Sequence, residues 1–406
     1  MMTGPHANRQ RLFETLCVFA KIGAMSYGGA AILGIMQAEV QERRGWVSKE
    51  RYLEGIALVN ALPGAPATQL AVYIGCSRAG WLGGVLAGLG FMLPAFFIML
   101  ALTLAYTAYG ELPVARDAFY GLGPVVLGIF VVAVCRLGKA ALNAPQQVAI
   151  AAAAALLVAL TPVGTAGTLL LAGCVGVAAY HSLAWGLRAA LVVTLLLGAY
   201  HWASPMLAGH GIAGDHTHAA SAAAPTLLDI ASFFLNAGAF TFGGGITVLA
   251  FVQDQLVNHL RWLAPQEFLD GLALGQLAPG PVLMLAAYVG YKLSGVAGAA
   301  VGAFTIFLPS FVLILSVMPV LNRFRELIWI KAAMRAIGAA VIGVISVSLM
   351  RLAPHAAPDA FSLVLVALTV AGMLTWKWLP LPLILAGAAI GAVARLKLIQ
   401  RLREVI

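Results

Sequence analysis

The chain predicts an all-α polytopic membrane protein built from two inverted repeats, and three observations predict it. Of its 406 residues, 62% are hydrophobic and 10% charged, against about 25% charged in a soluble protein, too little polar surface to coat a body in water. The chain also contains itself twice: residues 23–30 (GAMSYGGA) return as residues 238–245 (GAFTFGGG), an offset of 215. Finally, one apolar run, 183–203, has no counterpart and lies between the copies. Two like units joined directly face the same way; one further crossing turns the second over. Duplicated, Gly/Pro-interrupted apolar units are the sequence mark of a secondary transporter. What repeats is the helix breakers and the few charges, which a lipid-buried chain keeps only with reason.

Segment A (about 12–37) is interrupted at Gly28-Gly29. Each glycine in a helix interior costs about 1 kcal/mol relative to alanine, so a pair marks a break. The stretch EVQERRGWVSKER, 39–51, is a charged loop with an aromatic, as at a membrane–water interface. Segment B (52–74) is broken at Pro63-Gly64-Ala65-Pro66, where proline removes a donor and glycine frees the backbone. Segment C (80–108) carries Gly84, Gly88 and Pro94; D (117–137) ends at Arg136 and Lys139; E (146–161) is stopped by Pro162; F is 164–180. The unmatched run G follows. The second copy gives A′ (228–251), B′ (267–291), C′ (295–321), D′ (330–351), E′ (360–376) and F′ (379–395). Trp46 matches Trp262 and Pro63-Gly64 matches Pro279-Gly280 at an offset of 216; Tyr73 and Tyr288, Leu93-Pro94 and Leu308-Pro309, and Arg136 and Arg351 match at 215. The expectation is roughly 10–13 transmembrane segments, with A and B either crossing or re-entrant. The expected division is a first repeat over 1–182, a linker helix and polar loop over 183–226, and a second repeat over 227–406.

The net charge is +9. Most Lys and Arg fall between apolar segments, so they read first as headgroup contacts and topology signals, and second as a basic mouth for an anion; nucleic acid is not an expected partner. The four cysteines, Cys17, Cys76, Cys135 and Cys174, form no CxxC and read as small buried hydrophobes. Arg9 and Arg11 before an apolar run weakly resemble a signal peptide, but Lys21 interrupts that run and its tail is repeat, so the segment reads as retained. The linker 204–226 has no Lys or Arg and three histidines, His210, His216 and His218. It leans to the outside, and a His-bearing loop of this kind is ordinarily just solvated, so neither a metal site nor a cofactor is expected. Orientation conflicts with itself. The basic stretches 39–51 and RLKLIQRLR both fall outside in a 13-span count from a cytoplasmic N-terminus, so either A does not cross once or the positive-inside rule fails. A cytoplasmic N-terminus is the adopted reading.

The breaks are the candidate site. An interrupted helix leaves N–H groups unpaired, and the next half-helix presents its positive end; both attract an anion. Gly28, Gly29, Gly243, Gly244 and Gly245 would supply N–H groups, and Ser26 and Thr241, 215 apart, would supply hydroxyls. The competing reading is close helix packing through small residues; duplication in an inverted frame favours the site. At the second break stand Pro63 and Gly64, against Pro279, Gly280 and Pro281. Asn60 and Gln276 precede it, and Thr68 and Gln69 follow it only in the first copy. The competing reading there is a structural kink. Lys21, whose second-copy equivalent is Asn236, is a cation deep in segment A; Arg78 and Lys292 would mark the mouths. Arg136 and Arg351, and the carboxylates Glu39 and Asp254, are candidate mouth or coupling charges, against snorkelling and interfacial ion pairs.

Enzyme signatures are absent: no P-loop, HExxH, GxSxG or CxxC, and no mid-span aspartate pair. The chain is expected to be no enzyme; a membrane reductase and a channel are the rivals from other classes. The breaks Tyr27-Gly28-Gly29 and Phe242-Gly243-Gly244-Gly245, the ERRGW stretch at 42–46, PGAPATQ at 63–69 with AVYIG behind it, GQLAPGP at 275–281 and the Leu-Pro pairs of the C segments together resemble the chromate ion transporter family in its two-domain form. The likeness covers nearly the whole chain. It implies an inner-membrane carrier with antiparallel halves that exports chromate and so confers resistance. One departure is Pro63-Gly64-Ala65-Pro66, where the family usually reads Pro-Gly-Pro. The expected function is alternating-access export of chromate across a bacterial cytoplasmic membrane, with sulfate or another tetrahedral oxyanion as the alternative cargo. The partners are the oxyanion and the bilayer, and a homodimer is left open.

Overall fold

Prolines and hydroxyl caps start the helices, and glycines turn or interrupt them. The computed structural model describes residues 5–26, 29–110, 112–161, 163–208, 225–241, 245–320, 328–376, 378 and 380–405. Among these every element is helical: α1 (Pro5–Met25), α2 (Gly29–Met36), α3 (Lys49–Ala61), α4 (Pro66–Tyr109), α5 (Pro113–Ala141), α6 (Pro145–Leu160), α7 (Gly164–Tyr180), α8 (Leu183–Ala208), α9 (Leu227–Ala239), α10 (Gly245–Gln253), α11 (Pro265–Leu277), α12 (Leu285–Val317), α13 (Ile328–Ala356), α14 (Ala360–Thr375) and α15 (Pro380–Val405). A π-helical turn follows α2 at Gln37–Arg43 and α10 at Asp254–His259. Proline occupies the first turn of α4, α5, α6 and α11, where its missing N–H is harmless. Ser48, Thr226 and Asp359 cap α3, α9 and α14.

The helices α4 and α12 each double back. Ala79-Gly80 and Ser294-Gly295 leave helical geometry, with φ of 68° at Gly80 and 60° at Gly295, a left-handed conformation that glycine adopts freely. Gly75 then packs backbone to backbone on Gly83, and Gly290 on Gly298. Each is therefore a short limb and a long limb. The long limb of α4, residues 81–109, extends about 43 Å at 1.5 Å per residue, enough to cross a hydrocarbon layer of about 30 Å.

The short limbs settle how A and B sit. Glu14 of α1 and Arg78 at the turn of α4 form an ion pair of 2.5 Å. The Arg78 guanidinium lies 3.7 Å from the ring centroid of Trp46, in the loop between α2 and α3. The start of segment A, the A–B loop and the end of segment B therefore meet at one face. Both segments are re-entrant hairpins whose tips are the Gly and Pro breaks. The second copy agrees at the other face: Lys292, at the turn of α12, pairs with Glu267 at the start of α11 at 2.8 Å. All 13 expected segments are present, four of them as hairpins that enter and leave on the same side.

The halves run upside down to each other. Gly84 and Gly88 on the long limb of α4 abut Leu315 and Phe311 on that of α12. One sequence rises as the other falls, so these repeat mates cross antiparallel. They also exchange partners. In the first half α5 carries α14 and α15 of the second; in the second half α13 carries α6 and α7 of the first. Arg351 donates to the Val158 carbonyl at 3.0 Å and Arg136 to the Met373 carbonyl at 2.9 Å, the same bond made twice at an offset of 215. The largest apolar core spans both halves, with Met92, Ala95 and Met99 of α4 packed among residues of α9 to α12.

Three expectations change. Cys17 and Cys135 are exposed and Cys76 half-buried, leaving only Cys174 buried, because these helices turn outward faces to apolar solvent. Run G continues through Pro205 to Ala208, so the polar linker is shorter than 204–226; His210, His216 and His218 lie outside the described residues. Lys21 is exposed on α1 rather than buried in the interior.

Candidate functional site

Each break is tied to a break of the other repeat. The Gly64 N–H donates to the Thr241 carbonyl at 2.6 Å, and the Gly280 N–H donates to the Ser26 carbonyl at 2.7 Å. The Pro-Gly hairpin tip of one half thus bonds to the last described residue ahead of the glycine break of the other, twice. Gly64 and Gly280 have φ of +127° and +98°, accessible to glycine and not to ordinary L-residues. A Cβ on Gly64 would also meet Gln69 Nε2 and lie 2.6 Å from Ser310 Oγ; one on Gly280 would lie 2.5 Å from the Ala95 Cβ.

Ser310, which sequence reasoning missed, explains the departure at Ala65. Ala65 retains an N–H where its mate Pro281 has none, and that N–H donates to Ser310 Oγ at 2.8 Å. Ser310's own mate is Ala95. Where proline removes the donor, alanine stands opposite; where alanine restores it, serine supplies the acceptor. The signal was in the sequence: two departures from the repeat, one in B and one in C.

The interior around the first tip holds polar atoms without partners. Ser26, Thr68 and Gln69 are fully buried. Gln69 Nε2 donates to the Pro63 carbonyl at 2.6 Å, which fixes the amide, while Gln69 Oε1, Ser26 Oγ and Thr68 Oγ1 have no hydrogen-bond partner among the described residues. A buried unmatched polar group costs about 1–3 kcal/mol. Thr68 lies in the first turn of α4, where helix N–H groups are also free. Thr241, Ser26's mate, is fully buried but spends its hydroxyl on the Ala237 carbonyl at 2.9 Å. Pro279 and Pro281 are buried, Pro63 and Gln276 half-buried, and Asn60 exposed at the end of α3. Gly29 and Gly245 begin α2 and α10; Gly28, Gly243 and Gly244 lie outside the described residues.

Apart from Lys21, which lies on α1 nearer to Ser26 than to Glu14, the candidate charges gather at the two faces, away from the tips. Glu39, buried in the first π-turn, accepts from Arg44 at 3.0 Å and Arg43 at 3.2 Å. The Arg44 bond outweighs burial and holds its carboxyl below the ordinary range. Asp254, in the second π-turn, accepts from Asn258 at 3.0 Å and Arg351 at 2.7 Å, with His259 at 3.6 Å. Arg43 and Arg44 are the repeat mates of Asn258 and His259, so the two nodes are one design with different charges. On the Asp254 face a cavity of about 490 Å³ is lined by Tyr106, Arg116, Gln266, Asp270, Lys292 and His355 among others. Tyr106 donates to buried Asp270 at 2.6 Å, joining the halves there.

The profile of the chromate transporter family matches residues 13–214 and 228–392. A chromate transport protein of Cupriavidus metallidurans is 31% identical over 94% of this chain and 93% of its own length. A probable chromate transport protein of Synechococcus elongatus is 33% identical over 92% and 93%. A chromate transport protein of Pseudomonas aeruginosa is 34% identical over 82% and 79%. No solved structure matches the chain.

Proposed function

The chain belongs to the chromate transporter family, and from that premise we propose that it is a secondary carrier, not an enzyme, that exports chromate across a bacterial cytoplasmic membrane and so confers resistance. The anion binds at mid-membrane where the four hairpin tips meet. The observation that carries this reading is the reciprocal pair of hydrogen bonds between breaks, together with the buried unpartnered hydroxyls of Ser26 and Thr68. Hydroxyls and free helix N–H groups donate to an oxyanion without a fixed countercharge, so binding is reversible. Gly28, Gly29, Gly243, Gly244 and Gly245 add backbone donors. Residues 1–182 and 227–406 act as the two rocking units, with α8 in the linker 183–226 setting the inversion.

Re-entrance supports the orientation. With A and B returning to their starting face, the basic loop 39–51 shares that face with Arg9, Arg11 and Arg78. The positive-inside rule then makes it cytoplasmic, while the odd number of crossings leaves RLKLIQRLR on the opposite face as the one exception of the two basic stretches. The competing cargo is sulfate or another tetrahedral oxyanion, which has the same shape. Uptake of labelled chromate into inverted vesicles tests the choice. Unlabelled chromate is expected to compete better than sulfate, and stronger inhibition by sulfate overturns chromate as the preferred cargo.

A further inference from the structure

The two copies differ in how their B hairpins pack. The face of α11 that carries Leu269, Asp270 and Ala273 is buried, and α11 packs on α5, α15 and α4. Its mates on α3, Leu53, Glu54 and Ala57, sit on a helix that packs chiefly on α4. Leu53 is 52% exposed where Leu269 is 0%. Likewise α10 packs on α13, and the π-turn beyond it offers Asp254 to Arg351. Among the described residues Arg136 keeps its carbonyl bond to Met373 but makes no ion pair, and the ion pairs of Glu39 are those with Arg43 and Arg44. One side is latched and the other is not.

We propose that Asp254–Arg351 and Glu39–Arg136 are alternating latches, the first holding the outer side shut in the state seen here and the second forming when the molecule turns over. This rests on the alternating-access reading above. Inverted repeats have two conformations in which each half takes the other's arrangement. In the second conformation α3 docks through Leu53 and Ala57 as α11 docks now, and Glu39 takes Arg136 as a third partner, just as Asp254 already holds three. A carboxylate has about four acceptor sites, so Arg43 and Arg44 need not leave. The latches are unequal by design. Glu39 is neutralised locally by two guanidiniums, whereas Asn258 and His259 leave more of the Asp254 charge for Arg351, so the inner side opens more readily.

The test follows cysteine reactivity in a background lacking the four native cysteines, with purified protein in nanodiscs and a water-soluble thiol reagent. Ala57→Cys is expected to react and Ala273→Cys to be protected. Adding Arg351→Gln, or separately Asn258→Arg with His259→Arg, which satisfies Asp254 locally and leaves both latch residues in place, should speed Ala273→Cys about tenfold, equivalent to about 1.4 kcal/mol, and slow Ala57→Cys. Arg136→Gln, which removes the latch of the other conformation, should leave Ala57→Cys as in the parent and slow Ala273→Cys further; an unchanged Ala273→Cys rate overturns the inner latch. Protection of Ala273→Cys that survives both outer-latch changes overturns the latch, as does an Ala57→Cys that never reacts. Chromate flux is measured on the same proteins. Exchange of reactivity without chromate flux sinks the cargo and leaves the latches; flux without exchange sinks the latches and leaves the cargo.

Discussion

Single atoms decide what the centre can hold. Ser26 Oγ and Thr68 Oγ1 already stand buried and unpaired among the described residues, so Ser26→Ala and Thr68→Val remove no bond to them. Thermal stability should hold or rise slightly, while chromate uptake falls about tenfold or more; unchanged uptake in both variants removes these hydroxyls from the site. Ser310→Ala does the opposite. It strands the Ala65 N–H and should cost about 1–3 kcal/mol, seen as a lower melting temperature. Adding Ala65→Pro deletes the stranded donor and recreates the Pro281–Ala95 pairing of the second half, so the double variant should recover most of that loss. Glu39 gives a pH signature. Its lowered carboxyl pKa stabilises the fold above the ordinary value of 4.5, and that contribution is lost as pH falls through the lowered value. The melting-temperature gap between the parent and Glu39→Gln should therefore shrink as the medium is acidified. The sequence already showed Ser26, Thr68 and Gln69 as polar residues beside breaks. It could not show that Asn60 and Lys21 are exposed, because exposure depends on how α3 and α1 dock, not on what surrounds them in the chain.

At the scale of elements, the hairpin tips are where substitution should hurt most. Gly64→Ala meets both a left-handed backbone and the Gln69 amide, and Gly280→Ala meets the Ala95 methyl. Each should lower stability by about 1–3 kcal/mol and impair transport beyond what lost folding explains, with Gly34→Ala, which has open space, as the silent control. The breaks, their spacing and their duplication were legible, because proline and glycine leave a mark in any helix. Whether a broken segment crosses or returns was not legible: an apolar half-helix reads alike in either direction. The contacts of Arg78 with Glu14 and Trp46 decide it, and these join residues far apart in the chain. The exposed Cys17 and Cys135 belong to the same lesson, since apolar surroundings in the sequence serve lipid-facing and core positions equally.

For the whole molecule, re-entrance fixes the topology. In the proposed re-entrant arrangement the long limbs of α4 and α12, α5 and α13, which are long and apolar enough to span, cross together with the shorter apolar α6, α7, α8, α14 and α15, an odd number. Residues before α1 and residues after α15 should therefore lie on opposite faces, with the loop at Trp46 on the side of the former. Sided labelling of single cysteines at these places in intact cells and inverted vesicles checks this, and a shared face for both ends would contradict it. The parity argument from the unmatched run G anticipated the inversion; the exchange of α14 and α15 for α6 and α7 between halves was beyond it, because repeats in a sequence say nothing of which copy a helix leans on.

In the carrier proposed above the hairpin tips stop halfway through the lipid, and that depth has an electrical consequence. Whichever side is open, water reaches the middle, and the cell's voltage falls across the remaining closed half. An inside-negative potential of 100 mV does work of about 2.3 kcal/mol on each elementary charge carried through it. For the proposed doubly charged cargo moving outward that is about 4.6 kcal/mol in favour of release. Extrusion then runs downhill on voltage alone, and an ionophore that collapses the voltage should slow it even when no other gradient is touched.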